Sequence, residues 1–230
     1  MAATLKRSQD SLFISFGPGT GSTALEMFLR SQNHNFLNFD LETLFFPEEE
    51  YASGGSIDRH CSYMEFNRRT GIRYLNVATG VRDPLQVYYS EYVRIKKRWV
   101  VLLDDKNSWL YGERSKSTYS LVYLAKETDC FDQWFHHLMT ERKKTDHYML
   151  INADHLENAN FYLRCEFMSA DFNAVIKSVF DIDLPQSLLR IEYANVTEKD
   201  GQALPELKDS TRLLYNELFG HYLAHYMHNR

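Results

Sequence analysis

The segment from Ser11 to Arg30 constrains the fold more than any other. Ser11–Phe16 (SLFISF) is a short apolar run of β type, and Gly17-Pro18-Gly19-Thr20-Gly21 follows it directly. Ser22–Arg30 then places Leu25, Phe28 and Leu29 on one side of a helix. Strand, glycine-rich turn and helix form the opening unit of a parallel sheet. The pattern returns at Tyr74–Val81 (YLNVATGV), where Asp83-Pro84 opens a helix over Leu85–Lys97, proline being suited to a first helical turn. Asn35–Phe39 and Tyr148–Asn152 are further strand candidates. Phe131–Leu138, His155–Cys165 and Phe172–Phe180 read as helices, and the polar stretch Asp104–Ser120 reads as a surface loop. Near the end Tyr215, Phe219, Tyr222 and Tyr226 recur at helical spacing, the apolar face of a last helix. Short strands alternating with helices predict an α/β domain with a central parallel sheet flanked by helices. Ligands of such sheets gather at the carboxyl ends of the strands. The loops after Phe16 and Val81 are therefore where chemistry is expected.

A chain of 230 residues, 44% hydrophobic and 25% charged, suits one folded domain, taken as 11–230 behind a polar segment 1–10. The 15 Tyr and 15 Phe suggest a large aromatic core, or an aromatic-walled cleft. A net charge of −5 gives no basic excess for nucleic-acid binding. Local basic clusters remain at Arg68, Arg69 and Arg73, at Lys96, Lys97 and Arg98, and at Arg142, Lys143 and Lys144. Cys61, Cys130 and Cys165 have no CxxC spacing, so no zinc site is expected, and their odd number leaves at least one free thiol. No apolar run approaches the roughly 18 residues that span a bilayer, and Met1–Asp10 has no apolar signal-peptide region. A soluble chain is expected, or a portion of one whose anchor lies elsewhere.

The turn Gly17–Thr23 lets the backbone fold tightly and present N–H groups to an anion at a helix N-terminus, with Ser22 and Thr23 adding hydroxyl donors. It lacks the Gly-Lys of a Walker A loop. Alone it is equally an anion site or a plain strand-to-helix turn. In the second loop Arg82 leaves the strand end, and Ser90 follows eight residues later, about two helical turns on. A guanidinium fork and a hydroxyl so spaced can hold one phosphate. The competing reading is an Arg82–Asp83 structural pair with Ser90 facing solvent.

Together the two segments resemble the sulfotransferases that use 3′-phosphoadenosine-5′-phosphosulfate (PAPS). Gly17–Thr23 is similar to their 5′-phosphosulfate loop, P-K-x-G-[ST]-[ST], and Val81-Arg82-Asp83-Pro84 with Ser90 is similar to their 3′-phosphate motif. Arg59-His60-Cys61-Ser62-Tyr63-Met64-Glu65-Phe66 resembles the H-x-S-Y-x-D-F stretch of heparan sulfate and dermatan uronyl 2-O-sulfotransferases. Asn195-Val196-Thr197 and Leu213-Leu214-Tyr215 also look like that group's C-terminal end. The resemblance runs from Leu12 to the last helix and is patchy over Lys96–His147.

The resemblance implies a P-loop-like sulfotransferase fold. It implies PAPS as donor, adenosine 3′,5′-bisphosphate (PAP) as product, and no metal. The acceptor would be a carbohydrate hydroxyl, on a uronic acid of a glycosaminoglycan-like polysaccharide. His60 would be the general base. Gly19, Thr20, Gly21, Ser22 and Thr23 would hold the 5′ end of the donor, and Arg82 and Ser90 its 3′-phosphate. The family's location is the Golgi lumen, although a chain without an anchor would also suit the cytoplasm. Oligomeric state is not legible. Three positions depart from the pattern: Gly19 stands where the family has lysine, Val87 where members often have arginine, and Asp58 where some carry a second histidine. Losing one preorganised cation commonly costs roughly 10²–10³ in rate. Arg59 and Lys96 are candidates to replace it. The competing classes are a degenerate relative that binds nucleotide or glycan without turnover, and an unrelated P-loop phosphotransferase. The missing Gly-Lys-[ST] and the lack of an evident magnesium carboxylate oppose the latter.

Overall fold

A computed structural model describes residues 5–6, 10–17, 19–31, 40–43, 60–108, 117–141, 153–185, 191 and 204–228. The chain gathers into two compact units, Met1–Arg82 with His147–Asn195, and Asp83–Asp146 with Val196–Arg230. The first carries all the described strands and the second is helical.

In the sheet unit, β1 (Leu5–Lys6) pairs in parallel with β4 (Ile72–Arg73). The main sheet contains β2 (Ser11–Phe16), β3 (Asp40–Thr43), β5 (Asn76–Val81) and β6 (Phe161–Arg164), all parallel, in the order β3-β2-β5-β6. β2 is buried along its whole length, Ser11 and Ser15 included, as a strand in a sheet covered on both faces is. Leu12, Ile14, Phe16, Ala78 and Leu163 face α1 (Ser22–Ser31) and α7 (Met168–Phe180), whose Leu25, Phe28, Phe172, Val175 and Ile176 complete one core. Phe13 and Val77 point the other way, onto Tyr63 and Phe66 of α2 (Tyr63–Thr70). There the ring of Phe13 lies 4.6 Å from that of Phe66.

The residues around α2 explain its limits. The Ser62 hydroxyl caps its start by accepting from Glu65 N–H at 3.2 Å. Gly71, at φ 72°, closes its end with an N–H donated to the Asn67 carbonyl. Arg68 and Arg69 of the first basic cluster both donate to the Glu65 carboxylate, which they hold down to about 2. They form a solvated ion-pair face of the helix.

The helical unit opens with α3 (Pro84–Arg94), which continues as a π-turn over Ile95–Trp99 and a 3-10 turn over Val100–Leu102. α4 (Ser117–Glu127), α5 (Phe131–Glu141) and α8 (Asp209–Tyr222) complete it, with a π-turn over Leu223–His228 after α8. Its interior is aromatic: Tyr88, Phe131, Trp134, Phe135, Tyr215 and Phe219 are all buried. Of the predicted stripe on the last helix, Tyr215, Phe219 and Tyr222 are buried as core, and Tyr226 lies half-buried in the π-turn.

Four expectations are corrected. His155–Cys165 is not one helix: α6 (Ala153–Glu157) stops short, and Phe161–Arg164 joins the sheet. Asn160 forces the change, donating its N–H to the Val77 carbonyl at 2.8 Å and accepting from Val77 N–H on its side chain at 2.9 Å. The chain is thereby docked along β5. The strand begins at Asn76 rather than Tyr74, because the Tyr63 hydroxyl takes both the N–H and the carbonyl of Tyr74. Ser117–Ser120 belongs to α4 rather than to a loop. The helix after Pro84 leaves α geometry at Ile95, before Lys97, and continues in π form. Asn35–Phe39, Tyr148–Asn152, Arg142–Lys144 and Asn195–Thr197 lie outside the described residues. No helix among the described residues is long and apolar enough to cross a membrane.

Candidate functional site

β2 and β5 are neighbours, with Phe16 opposite Gly80, so the loops that follow them leave the carboxyl edge of the sheet side by side. The first loop is tied from within. The Thr20 hydroxyl donates to the Gly17 carbonyl at 2.7 Å, and the Gly21 carbonyl accepts from Ala24 N–H at 3.1 Å to begin α1. Gly19 at φ 79° and Gly21 at φ 100° occupy the left-handed region that favours glycine. A Cβ at Gly21 would also meet the Met168 methyl at 2.8 Å and the Cys165 sulfur at 3.3 Å. Gly80 is needed for a different reason. A Cβ there would lie 2.0 Å from the Phe16 ring and 2.9 Å from the Thr20 carbonyl. Only a bare backbone lets the loop lie across β5. The result is a tight turn feeding the first-turn N–H groups of α1, where partial positive charge accumulates. Ser22 in that turn is buried and Thr23 half-buried.

Arg82 reaches this loop, donating from one guanidinium nitrogen to the Gly19 carbonyl at 3.3 Å. Its charge also acts on Cys165: burial pushes that thiol up, and Arg82 pulls in the opposite direction. Cys165 sits against Gly21, so both observations put the guanidinium at the glycine turn. Asp83 has contacts of its own. Its carboxylate caps α3 by accepting from Leu85 N–H at 2.8 Å and also accepts from the Tyr215 hydroxyl at 2.8 Å. Burial, then the Asp83 charge, push that hydroxyl well above the usual tyrosine range. Arg82 and Asp83, considered as a pair from the sequence, thus each make a contact in a different direction.

Of the other residues singled out in the sequence, Ser90 lies half-buried on α3 in the helical unit, and Val87 is in that unit's interior. Lys96 donates its amine to the Thr128 carbonyl at 2.9 Å. Arg59 and Asp58 lie outside the described residues. All three cysteines are free thiols.

His60 stands where β2 ends. Its Nδ1 is 3.1 Å from the Phe16 carbonyl. A carbonyl oxygen can only accept, so Nδ1 carries the proton and the lone pair of the neutral ring lies at Nε2. The sequence pointed to loop, Arg82 and His60 separately, and the sheet unit brings them to one edge. It also brings a histidine that the sequence did not single out. His155, 3% exposed, donates from Nε2 to the His60 carbonyl at 3.1 Å and accepts at Nδ1 from the Ser15 hydroxyl at 3.1 Å. The Ser15 and Thr79 hydroxyls are 3.5 Å apart. No motif marks His155; α6 carries it beneath the loop, where its ring lies 3.8 Å from the Cβ position of Gly17. The edge thus brings together the first-turn N–H groups of α1, the Arg82 guanidinium and the His60 imidazole.

No protein-family model, no curated protein and no solved structure matches this chain.

Proposed function

We propose that the chain is a PAPS-dependent sulfotransferase of P-loop-like fold, acting on a carbohydrate hydroxyl, with a uronic acid of a glycosaminoglycan-like polysaccharide as acceptor. The observation that carries this reading is the meeting of the glycine turn, Arg82 and His60 at the carboxyl edge of one parallel sheet. The donor supplies a sulfuryl group held on a 5′-phosphate. The N–H groups of the turn and of the start of α1 hold that anionic end, with the Ser22 and Thr23 hydroxyls as further donors. His60 accepts the proton of the acceptor hydroxyl at Nε2. Arg82 also serves the 3′-phosphate, as the family motif implies. The location follows the family, in the Golgi lumen.

Gly19 is where the reading is most exposed. A lysine at φ 79° would be strained by about 1–2 kcal/mol, so the loop in this shape does not take the family's cation. The charge at the turn comes instead from Arg82, whose guanidinium touches Gly19. The same glycine favours a second reading, a module that binds nucleotide or glycan without turnover.

Calorimetric titration with PAP in the absence of metal, beside ATP and an Arg82→Ala control, tests the site. Micromolar binding that prefers PAP, weakened at least about tenfold by Arg82→Ala, is expected for a charge-assisted contact. A folded protein that ignores PAP sinks the reading. If PAP binds, sulfuryl transfer to polysaccharide should fall roughly 10²–10⁴-fold in His60→Ala. PAP binding without any transfer by the unaltered chain would establish the binding module instead.

A further inference from the structure

The polar groups beneath the loop form a connected chain that anion binding does not use. Ser15 of β2, His155 of α6 and the main chain of His60 are linked in that order, with the Thr79 hydroxyl of β5 at 3.5 Å from that of Ser15. Both ring nitrogens of His155 are engaged, one by a hydroxyl and one by a carbonyl. Ser15, Thr79 and His155 are each at most 3% exposed. A polar chain buried to this depth must be fully paired to be tolerated, and once paired it holds its members rigidly. It ends on the residue whose imidazole carries the proposed chemistry. That imidazole has a second tether, Nδ1 to the Phe16 carbonyl, one residue beyond Ser15. His60 is therefore fixed twice to the end of β2, once through its side chain and once through its backbone. The backbone tether passes through His155.

We propose that His155 is a positioning residue for His60: a buried bracket that fixes the His60 main chain against β2, so that the imidazole keeps its proton on Nδ1 and presents Nε2. The inference rests on His60 being the base of the proposed reaction, but the bracket itself is a statement about tautomer and orientation. Its reach is specific. Nε2 of the histidine ring is matched by the amide nitrogen of glutamine, whereas the shorter asparagine places its amide only where Nδ1 lies. Glutamine can donate to the His60 carbonyl; asparagine can pair with Ser15 and cannot reach His60.

The test is long-range proton–nitrogen NMR of the imidazole rings in the ¹⁵N-labelled chain, with His60→Gln to assign the His60 signals. The unaltered protein should show His60 as the Nδ1–H tautomer, and His155→Gln should keep it. His155→Asn, which leaves a polar group in the same cavity, should release His60 toward the tautomer mixture of an unrestrained ring. Turnover should fall roughly 10–100-fold in His155→Asn, the range expected for a misplaced group, with recovery in His155→Gln and PAP affinity within about twofold of the unaltered chain in both. An Nε2–H tautomer for His60 in the unaltered chain overturns the bracket. So does a His60 spectrum unchanged by a folded His155→Asn. If PAP fails to bind while the tautomer pattern behaves as stated, the sulfotransferase reading falls and the bracket stands.

Discussion

At position 80 the difference between a hydrogen atom and a methyl group decides whether the glycine turn can close. The Phe16 ring that a Cβ would strike is itself fully buried, and the other obstacle is backbone. Neither gives way cheaply. Gly80→Ala should cost about 1–3 kcal/mol in urea unfolding, the usual range for overpacking. It should weaken PAP binding beyond that of a control at exposed Met27, because the loop itself must shift. A variant as stable as the parent would show that Phe16 can turn aside. The residues that met at the site were legible where the chemistry lies in adjacent positions: Gly17–Thr23, Arg82-Asp83-Pro84 and the stretch around His60 each announce themselves. Two features were not. The hydroxyl of Thr20, one of the loop residues expected at the donor's 5′ end, is turned to the Gly17 carbonyl inside the turn. His155 depends on a partner 140 residues away, and no local pattern encodes that contact.

Among the elements, α3 shows how a motif can serve two ends. Arg82 turns to the loop, while Asp83 starts the helix and fixes α8 through Tyr215. Tyr215→Phe keeps the ring and removes only the donor to a carboxylate. It should lower stability by about 1.5–3 kcal/mol, read from the urea midpoint at unchanged slope. A loss well under that range would mean that water replaces the hydroxyl. Element type was legible where runs are long or punctuated: SLFISF before a glycine turn, and the aromatic stripe of α8. It failed at Phe161–Arg164, because four residues after a helical turn fit either period. Asn160, which decides the matter, acts only once β5 is present.

Over the whole molecule, the chain passes between the two units three times, at Arg82, Asp146 and Asn195. The sheet unit is thus built from two separated stretches. Its core needs Leu163 of β6 and Phe172, Val175 and Ile176 of α7 as much as it needs β2. Each such side chain contributes about 1.5–3 kcal/mol, against a net stability of about 5–15 kcal/mol for a typical domain. A chain ending at residue 146 should therefore show no cooperative melting by circular dichroism. A sharp transition would reveal a sheet that holds without its last strand.

The strand order has a further consequence during synthesis. β5 lies between β2 and β6, yet β6 follows it by about 80 residues of chain. At ribosomal rates of about 5–20 residues per second, the hydrogen-bonding edge of β5 waits roughly 4–16 s for its neighbour. An open parallel edge of that age can recruit strands from other nascent chains. Yield on expression should thus depend on slow translation or on chaperones more than the finished protein's stability suggests.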